Sequence, residues 1–202
     1  ANWSRWAVDI PVKIDYQRDA SGRGPFSYCT AGVFLLGQVL QRTTGEPVDD
    51  YIGRRLLDPL GIAEREWPRS PTGEVMTGGG LRLKSRDLAK LGLLVASGGR
   101  WQDESLIPAE SMSEALTVRR TIDAEQGYGY LFWQRQYDSP CGPLAGWYMS
   151  GNGGNVVAII PERHLVAVVT RRHYNQRGMH QQTLALLQDH LLAALDCAAV
   201  RD

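Results

Sequence analysis

The sequence predicts an α+β fold in which helices come first and a small antiparallel sheet with a closing helix comes last. Three observations support this prediction. Apolar residues recur with a helical period up to about residue 126, short apolar runs follow Gly127, and one long helical pattern ends the chain. The parts we predict are a loop at residues 1–27, a mainly helical lobe at 28–126, and strands with a C-terminal helix at 127–202.

Proline, glycine and capping residues predict the leading loop and the limits of the helices. Residues 1–27 show no regular spacing of apolar residues and contain Pro11, Gly22 and Pro25, so we expect a loop there. The first helix should begin at Tyr28 behind a Ser27 cap. It should end at Gly45, because a glycine favours C-terminal capping. Three more helices are expected from Pro47, over about residues 85–97, and after Pro108.

The strands and the last helix are predicted from apolar spacing. Four apolar runs of strand length lie at residues 128–133, 147–149, 156–160 and 165–170. The link Pro161–His164 has hairpin length, so the last two runs should pair antiparallel. A helix over about residues 176–194 should pack its leucine stripe against the sheet.

Composition excludes several classes of partner and cofactor. Twenty-two basic residues balance 22 acidic ones, so nucleic acid and acidic membrane surfaces are not predicted partners. No apolar run reaches the length of a membrane span. The three cysteines and four histidines show neither a dense disulfide pattern nor metal-ligand spacing, so we predict no metal and no other cofactor.

The beginning of the chain leaves two questions open. The sequence starts with Ala1 rather than methionine, and we expect that further sequence precedes it. Any targeting signal would lie there, so the compartment remains open between the cytoplasm and a periplasmic or secreted location.

Several segments carry a family resemblance that covers nearly the whole chain from about Pro25. Tyr28-Cys29-Thr30 resembles a Tyr-x-Asn motif, and Thr77–Leu81 with residues 85–92 is similar to a Gly-rich turn and its following helix. Residues 150–155 resemble a third active-site segment. In this order, the segments resemble the superfamily of serine β-lactamases and penicillin-binding proteins, which includes D-alanyl-D-alanine peptidases and esterases.

The resemblance implies a chemistry for each segment. In this family a serine nucleophile is activated by a lysine three residues later and by the tyrosine of the Tyr-x-Asn motif, which Tyr28 matches. Thr30 would line the site. Ser150, Gly151 and Asn152 would form one wall, where a backbone N–H binds the oxyanion, an interaction worth about 3 to 4 kcal/mol.

The chain also departs from the family pattern. Lys13, Lys84 and Lys90 follow Ile10, Leu81 and Asp87 at the three-residue spacing, so Ser-x-x-Lys is absent from these 202 residues. The family carries that motif upstream of the tyrosine. We therefore expect a C-terminal part of the fold, without the nucleophile helix and the N-terminal strands, and inactive alone.

Two further departures concern the substrate. Thr30 stands where asparagine is usual, and residues 149–153 contain no lysine or histidine. Both changes make a β-lactam a poorer expectation, because a cation in the third segment would help to hold a substrate carboxylate.

Alternatives remain open for the function and for single residues. The full protein is expected to cleave an ester or amide of a small or peptide-like substrate. A D-alanyl-D-alanine peptidase or β-lactamase is the second reading, and a non-catalytic binding protein is the third. Tyr28 also fits a packing role, Ser150 also fits a plain strand end, and Arg171 and Arg172 fit either a substrate anion or a solvated strand end.

An uncovered sheet edge predicts self-association or pairing with a complementary N-terminal fragment.

Overall fold

The protein is described by a computed structural model that covers residues 2–11 and 17–197. The chain divides into two compact units, Ala1–Leu83 and Lys84–Asp202. This division follows packing, whereas the predicted boundary between residues 126 and 127 follows the change from helices to strands. The division into lobes at 28–126 and 127–202 therefore stays a prediction.

Among its described residues, the first unit contains three α-helices. They are α1 (Trp3–Val8), α2 (Thr30–Thr44) and α3 (Val48–Ile52), and α3 continues as a π-helical turn over Gly53–Leu57. Gly45 ends α2 with a positive φ of 76°, which confirms the predicted glycine cap. The start of α2 differs from the prediction. Cys29 holds the cap position with no side-chain hydrogen bond, so Ser27 is not the cap.

The prediction that residues 1–27 form only a loop is wrong, because Trp3–Val8 form helix α1. The Asn2 side chain accepts a hydrogen bond from the Arg5 N–H at 2.7 Å. The Glu74 carboxylate accepts from the N–H groups of Trp3 at 2.7 Å and Ser4 at 3.0 Å. These acceptors satisfy the free donors of a short helix. Glu74 lies 71 positions from Trp3, so a local pattern could not reveal it. Residues 12–16 of the predicted loop lie outside the described residues.

Glu74 should make the attachment of α1 sensitive to acid. Partial burial raises its pKa, but hydrogen bonds from Ser4, Trp3 and Ser70 outweigh this and hold the pKa at about 2, below the ordinary 4.5. A lowered folded-state pKa stabilises above the unfolded value and is lost as pH falls through the folded one. We therefore expect the amide protection of Trp3 and Ser4 to fall between pH 4.5 and about 2.

Hydrogen exchange in a Glu74→Gln variant tests this expectation. The variant should show weaker protection of the same two amides at neutral pH and little further change down to about pH 2, because the titrating group is gone. Glu104→Gln, on an exposed strand of the second unit, should keep the wild-type acid response. An unchanged acid response in Glu74→Gln would contradict the assignment.

The described part of the second unit also contains three α-helices. They are α4 (Ser85–Ala96), α5 (Ala109–Ala115) and α6 (Met179–Leu186). Helix α6 continues as a π-helical turn over Leu187–Leu191 and a 3-10 turn over Leu192–Ala194. All three agree with helices expected from the sequence. Among the helices of the described chain, none is both long and apolar enough to cross a membrane.

The strands of the second unit form two antiparallel sheets. A two-stranded sheet pairs β1 (Arg100–Trp101) with β2 (Glu104–Ser105). The main sheet has six strands in sequence order, each paired with the next. They are β3 (Arg120–Thr121), β4 (Gln126–Tyr128), β5 (Trp133–Tyr137), β6 (Leu144–Gly151), β7 (Asn155–Ile160) and β8 (Leu165–Val169). The predicted antiparallel pairing of the last two strands is confirmed.

Both faces of the main sheet are covered. On one face, Ala158 and Ile160 pack with Leu187 and Leu192 of the C-terminal helical segment. On the other face, Val157 and Ile159 pack with residues of α4 and α5. A Cβ atom at Gly92 of α4 would lie 2.5 Å from Cγ1 of Val166, so glycine allows α4 to approach the sheet closely.

The predicted strand at residues 128–133 is wrong, because residues 129–132 form the turn between β4, which ends at Tyr128, and β5, which begins at Trp133. Leu131 has a φ of 64°, which an extended strand cannot accommodate. The Gly129 N–H donates to the Phe132 carbonyl at 2.9 Å and closes the turn. The apolar run is thus divided: Phe132 packs into the core, whereas Leu131 is exposed.

A disulfide joins Cys141 to Cys197, 56 positions apart. The sequence did not predict this pair, because three widely spaced cysteines fit no recognised pattern. The bond ties the turn after β5 to the segment that follows the last helix. Cys29 is an exposed free thiol.

Candidate functional site

The tyrosine segment lies at the start of α2 in the first unit. Tyr28 precedes the helix and is 47% exposed, so its side chain is accessible to solvent. Thr30 is the first residue of α2. The helix therefore fixes Thr30 directly, whereas Tyr28 lies one residue before the capping position.

The Gly-rich turn packs directly on this helix start. A Cβ atom at Gly78 would lie 2.5 Å from the Thr30 carbonyl oxygen, so only glycine fits there. The Thr77 hydroxyl lies 3.1 Å from the Val33 carbonyl oxygen and 3.2 Å from that of Phe34, to which it donates. Two segments singled out in the sequence, the tyrosine segment and the Gly-rich turn, are therefore neighbours.

A cavity of about 510 Å³ opens beside Thr30 in the first unit. This volume falls within the range of small-molecule sites. The described residues that line the cavity come from α1, α2 and the segment before the Gly-rich turn, and none of them has an ionisable side chain. The aromatic lining residues are Trp3, Trp6 and Phe34. The Trp3 and Phe34 rings meet edge to face, with centroids 6.1 Å apart.

The third segment lies at the end of β6, in the second unit. The pairing of β5 with β6 ends at Trp133 and Tyr148. Strand β6 continues to Gly151 and pairs with β7 along this stretch. Within the part of the chain that the structure describes, no strand pairs with the other edge of Met149–Gly151. Backbone groups on this open edge are free of a sheet ladder and can meet a ligand.

The connection from β6 to β7 is fixed by glycines and asparagines. Gly153 and Gly154 have φ values of 92° and 82°, which other residues rarely adopt. The Asn152 amide donates to the Asn175 side-chain oxygen at 2.7 Å, and the Asn175 N–H donates to the Asn152 side-chain oxygen at 2.9 Å. The Asn155 amide donates to the Asn152 carbonyl at 2.7 Å. Asn152 is thus a structural anchor for this connection.

His180 lies beside Ser150, which the sequence alone did not predict. Both side chains are exposed, and Ser150 Oγ is 3.4 Å from His180 Nδ1, at the long end of the hydrogen-bond range. The two residues are 30 positions apart. Only the return of α6 to the end of β6 brings them together, so no local motif could identify the pair.

Arg171 is held by neighbouring polar groups at the same end of the sheet. Its guanidinium lies 2.8 Å from His173 Nδ1, 2.6 Å from the Gln182 side-chain oxygen and 3.4 Å from the Thr183 hydroxyl. Among the described residues, no carboxylate forms an ion pair with this guanidinium. Its neighbour Arg172 takes part in none of these contacts.

The predicted site residues therefore form two groups. Tyr28 and Thr30 belong to the first unit, with the Gly-rich turn. Ser150, Gly151 and Asn152 belong to the second unit, at the open end of β6. No group of histidine, cysteine or acidic residues in the described ranges could hold a metal ion.

Comparison with known proteins gives a family and a fold. The sequence profile of the family described as Beta-lactamase matches residues 16–190. No curated protein matches the chain. Solved structures also match the chain. Their sequence identity to it is low, so these matches show a shared fold alone.

Three of these structures can be named. A Bacillus anthracis protein whose name assigns it to the 6-aminohexanoate-dimer hydrolases is 18% identical, with a TM-score of 0.68 over 87% of this chain and 51% of its own. A penicillin binding protein from Bacillus halodurans is 17% identical, with a TM-score of 0.62 over 80% and 56%. A beta-lactamase from Mycobacterium bovis is 19% identical, with a TM-score of 0.61 over 80% and 63%. The chain spans about half the length of the first two and under two thirds of the third.

Proposed function

The chain belongs to the Beta-lactamase family, a family of serine hydrolases, and from this premise we propose that it is part of an enzyme that cleaves an ester or amide through an acyl-enzyme. One observation carries the proposal. The last residues of β6, Met149–Gly151, pair with β7 on one edge and with no described strand on the other, and they lie in the segment that resembles the third active-site motif of the family. An open strand edge supplies backbone donors and acceptors at fixed positions, as a substrate carbonyl requires.

The proposed reaction begins with attack of a serine Oγ on the substrate carbonyl carbon. The serine proton passes to a basic pair formed by a lysine and Tyr28. The negative charge on the carbonyl oxygen is held by the N–H of Gly151 or its neighbour on β6. Collapse of the tetrahedral intermediate breaks the ester or amide bond, and the leaving group takes the proton. Water then attacks the acyl-serine, releases the acid and restores the serine.

Tyr28 suits the proton-transfer role in two respects. It stands at the position of the family tyrosine, and its side chain is 47% exposed beside the fixed start of α2. A phenol titrates near about pH 10, so it needs an adjacent cation to act as a base near neutrality. In the proposal, the lysine supplies that charge.

We propose that the serine and this lysine come from polypeptide outside these 202 residues. None of Lys13, Lys84 and Lys90 follows a serine at the required spacing. Ser150 is not proposed as the nucleophile. It lies within a strand, whereas a nucleophile elbow turns from a strand directly into a helix.

Labelling of the complete gene product tests the proposed function. The protein is exposed to a serine-directed fluorophosphonate, its intact mass is measured, and any adduct is mapped. We expect one adduct, on a serine three residues before a lysine, together with turnover of a short-chain aryl ester. Folded protein with the mass of this chain alone and no adduct would favour the non-catalytic binding protein instead.

A second candidate function is supported by Arg171 and His180, which lie at the same end of the sheet as Ser150. A D-alanyl-D-alanine peptidase or β-lactamase acts on a substrate that bears a carboxylate. His180 is 3.4 Å from Ser150, and Arg171 is held at the same end of the sheet without a carboxylate partner among the described residues. Arg171 provides a positive charge and His180 an imidazole, and residues 149–153 contain neither kind of group. Turnover of a chromogenic cephalosporin would favour this candidate, whereas ester turnover alone would favour the first.

We also propose that the isolated 202-residue chain self-associates or pairs with a complementary N-terminal fragment. Among the described strands, β8 has a neighbour on one side only, and each of its residues, Leu165–Val169, is partly exposed. An apolar edge strand offers an unpaired backbone to a further strand. Analytical ultracentrifugation should therefore detect species heavier than a monomer. A monodisperse monomer that unfolds cooperatively would count against the proposal.

A further inference from the structure

We propose that the turn between β4 and β5, residues 129–132, forms a wall of the substrate site, and that Tyr130 and Leu131 contact an uncharged apolar group of the substrate. The inference rests on the proposed function, because it assigns a specificity contact to the same open edge of β6. It concerns residues of the second unit alone.

The strand register places this turn beside the open edge. The last pair between β5 and β6 is Trp133 with Tyr148. The residues that follow this pair are Phe132 in the turn and Met149 in β6, and both pack against the same core cluster. The turn therefore lies next to Met149, where the open edge of β6 begins.

The conformation of Leu131 explains why the edge is open. Its φ of 64° lies in the left-handed region, which bulky residues rarely occupy. A strand cannot continue through this conformation, so β5 begins only at Trp133 and does not pair with the end of β6. Backbone strain of this kind persists where surrounding contacts hold it, and it clusters at ligand sites.

Specific contacts hold the turn in place. The Tyr130 N–H donates to the Ala115 carbonyl at 3.0 Å. A Cβ atom at Gly129 would lie 2.3 Å from the same carbonyl oxygen, so the turn is close against the end of α5. The Arg119 guanidinium lies 5.1 Å from the centre of the Tyr130 ring and pairs with Glu114 at 3.1 Å. The turn is therefore fixed against the end of α5 and the residues that follow it.

A fixed turn that exposes large apolar side chains favours an apolar ligand. Tyr130 is 53% exposed and Leu131 is 47% exposed. Neither carries a formal charge, the Tyr130 hydroxyl donates to the Glu114 carboxylate at 3.3 Å, and the nearby Arg119 charge is matched by Glu114. The chemical class that fits is an acyl or alcohol group of several carbons, attached to the ester or amide carbonyl that β6 would bind.

A substrate series with the complete gene product tests the inference. We compare kcat/KM for p-nitrophenyl hexanoate and p-nitrophenyl acetate in the wild type and in Leu131→Gly. Glycine accepts the positive φ, so the fold should be kept and the melting temperature should not fall. The hexanoate-to-acetate ratio should drop about tenfold, the effect typical of lost apolar contact in a specificity site. Leu131→Met should retain most of the ratio.

His164→Gly is the matched control. His164 also has a positive φ, 46°, but it lies in the turn between β7 and β8, at the other end of the β7 ladder from Asn155. Its substitution relieves the same kind of backbone strain and should leave the ratio unchanged. Ester turnover with a ratio that Leu131→Gly does not alter would overturn the inference and leave the proposed function in place.

If the wild type cleaves no ester, the proposed function fails, and a binding measurement then tests whether the turn contacts an apolar group. N-methylhexanamide and N-methylacetamide are titrated separately into the protein, and the methyl resonances of Leu131 are followed by NMR. Larger shifts with N-methylhexanamide, and weaker binding of this probe to Leu131→Gly, would support an apolar site at the turn. Absence of any shift at Leu131 would refute it.

Discussion

Replacement of Tyr28 by phenylalanine in the complete gene product should lower kcat for a short-chain aryl ester by about 100- to 10,000-fold, the usual range for loss of a general acid or base. The substitution removes one oxygen atom and retains the ring. Tyr28 is 47% exposed and lies outside the α2 cap, so its hydroxyl is not part of the buried core. The melting temperature should therefore change little while the chemical step slows.

Two further measurements make this result specific. KM should change less than kcat, because proton transfer acts on the transition state rather than on substrate binding. Tyr51→Phe is the matched control: Tyr51 belongs to α3 of the same unit, and its ring lies 6.0 Å from the Arg54 guanidinium carbon. Its kcat should remain that of the wild type. A Tyr28→Phe enzyme with unchanged kcat would remove Tyr28 from the mechanism and leave it as a helix-start residue.

The sequence predicted the helices of the fold well, because their signals are local. The glycine at position 45 ends α2 as expected, and α4 begins at Ser85 and ends within one residue of the predicted limit. Apolar spacing and capping residues act within one or two turns, so a short window contains the information. The family resemblance then supplied the order of the segments, and the matching profile confirms the family.

The errors arose where a distant residue determines the local structure. Helix α1 depends on the Glu74 carboxylate, 71 positions from Trp3. The apolar run at residues 128–133 resembles a strand, but Leu131 adopts a positive φ and divides it. Hydrophobic patterning cannot reveal such a turn, since leucine is an unusual residue in this conformation.

The candidate site could be predicted only in part for the same reason. A motif predicts Ser150, Gly151 and Asn152, and these residues lie at and directly after the end of β6, where β5 no longer pairs with it. His180 was missed, because the return of α6 sets it beside Ser150 across 30 positions. The roles of Tyr28 and Thr30 remain predictions, which the tyrosine substitution addresses directly.

Loss of the Cys141–Cys197 disulfide should have the largest effect on stability. The bond closes a loop of 56 positions, and a cross-link of that span stabilises by about 2 to 4 kcal/mol, chiefly by restricting the unfolded chain. It also holds the end of the C-terminal helical segment, whose Leu187 and Leu192 are buried against β6 and β7. Cys141→Ser with Cys197→Ser should therefore lower the melting temperature of the second unit by roughly 10 °C.

Thermal unfolding with and without reductant separates the disulfide from other effects of the substitutions. Reduction should lower the melting temperature of the wild type to that of the double variant and should not lower the double variant further. Cys29→Ser, which removes the exposed free thiol, should behave as the wild type in both conditions. If the oxidised wild type and the double variant melt together, native packing of Leu187 and Leu192 alone fixes the C-terminal segment. The cross-link would then contribute nothing measurable, and the loop-closure argument would fail for this protein.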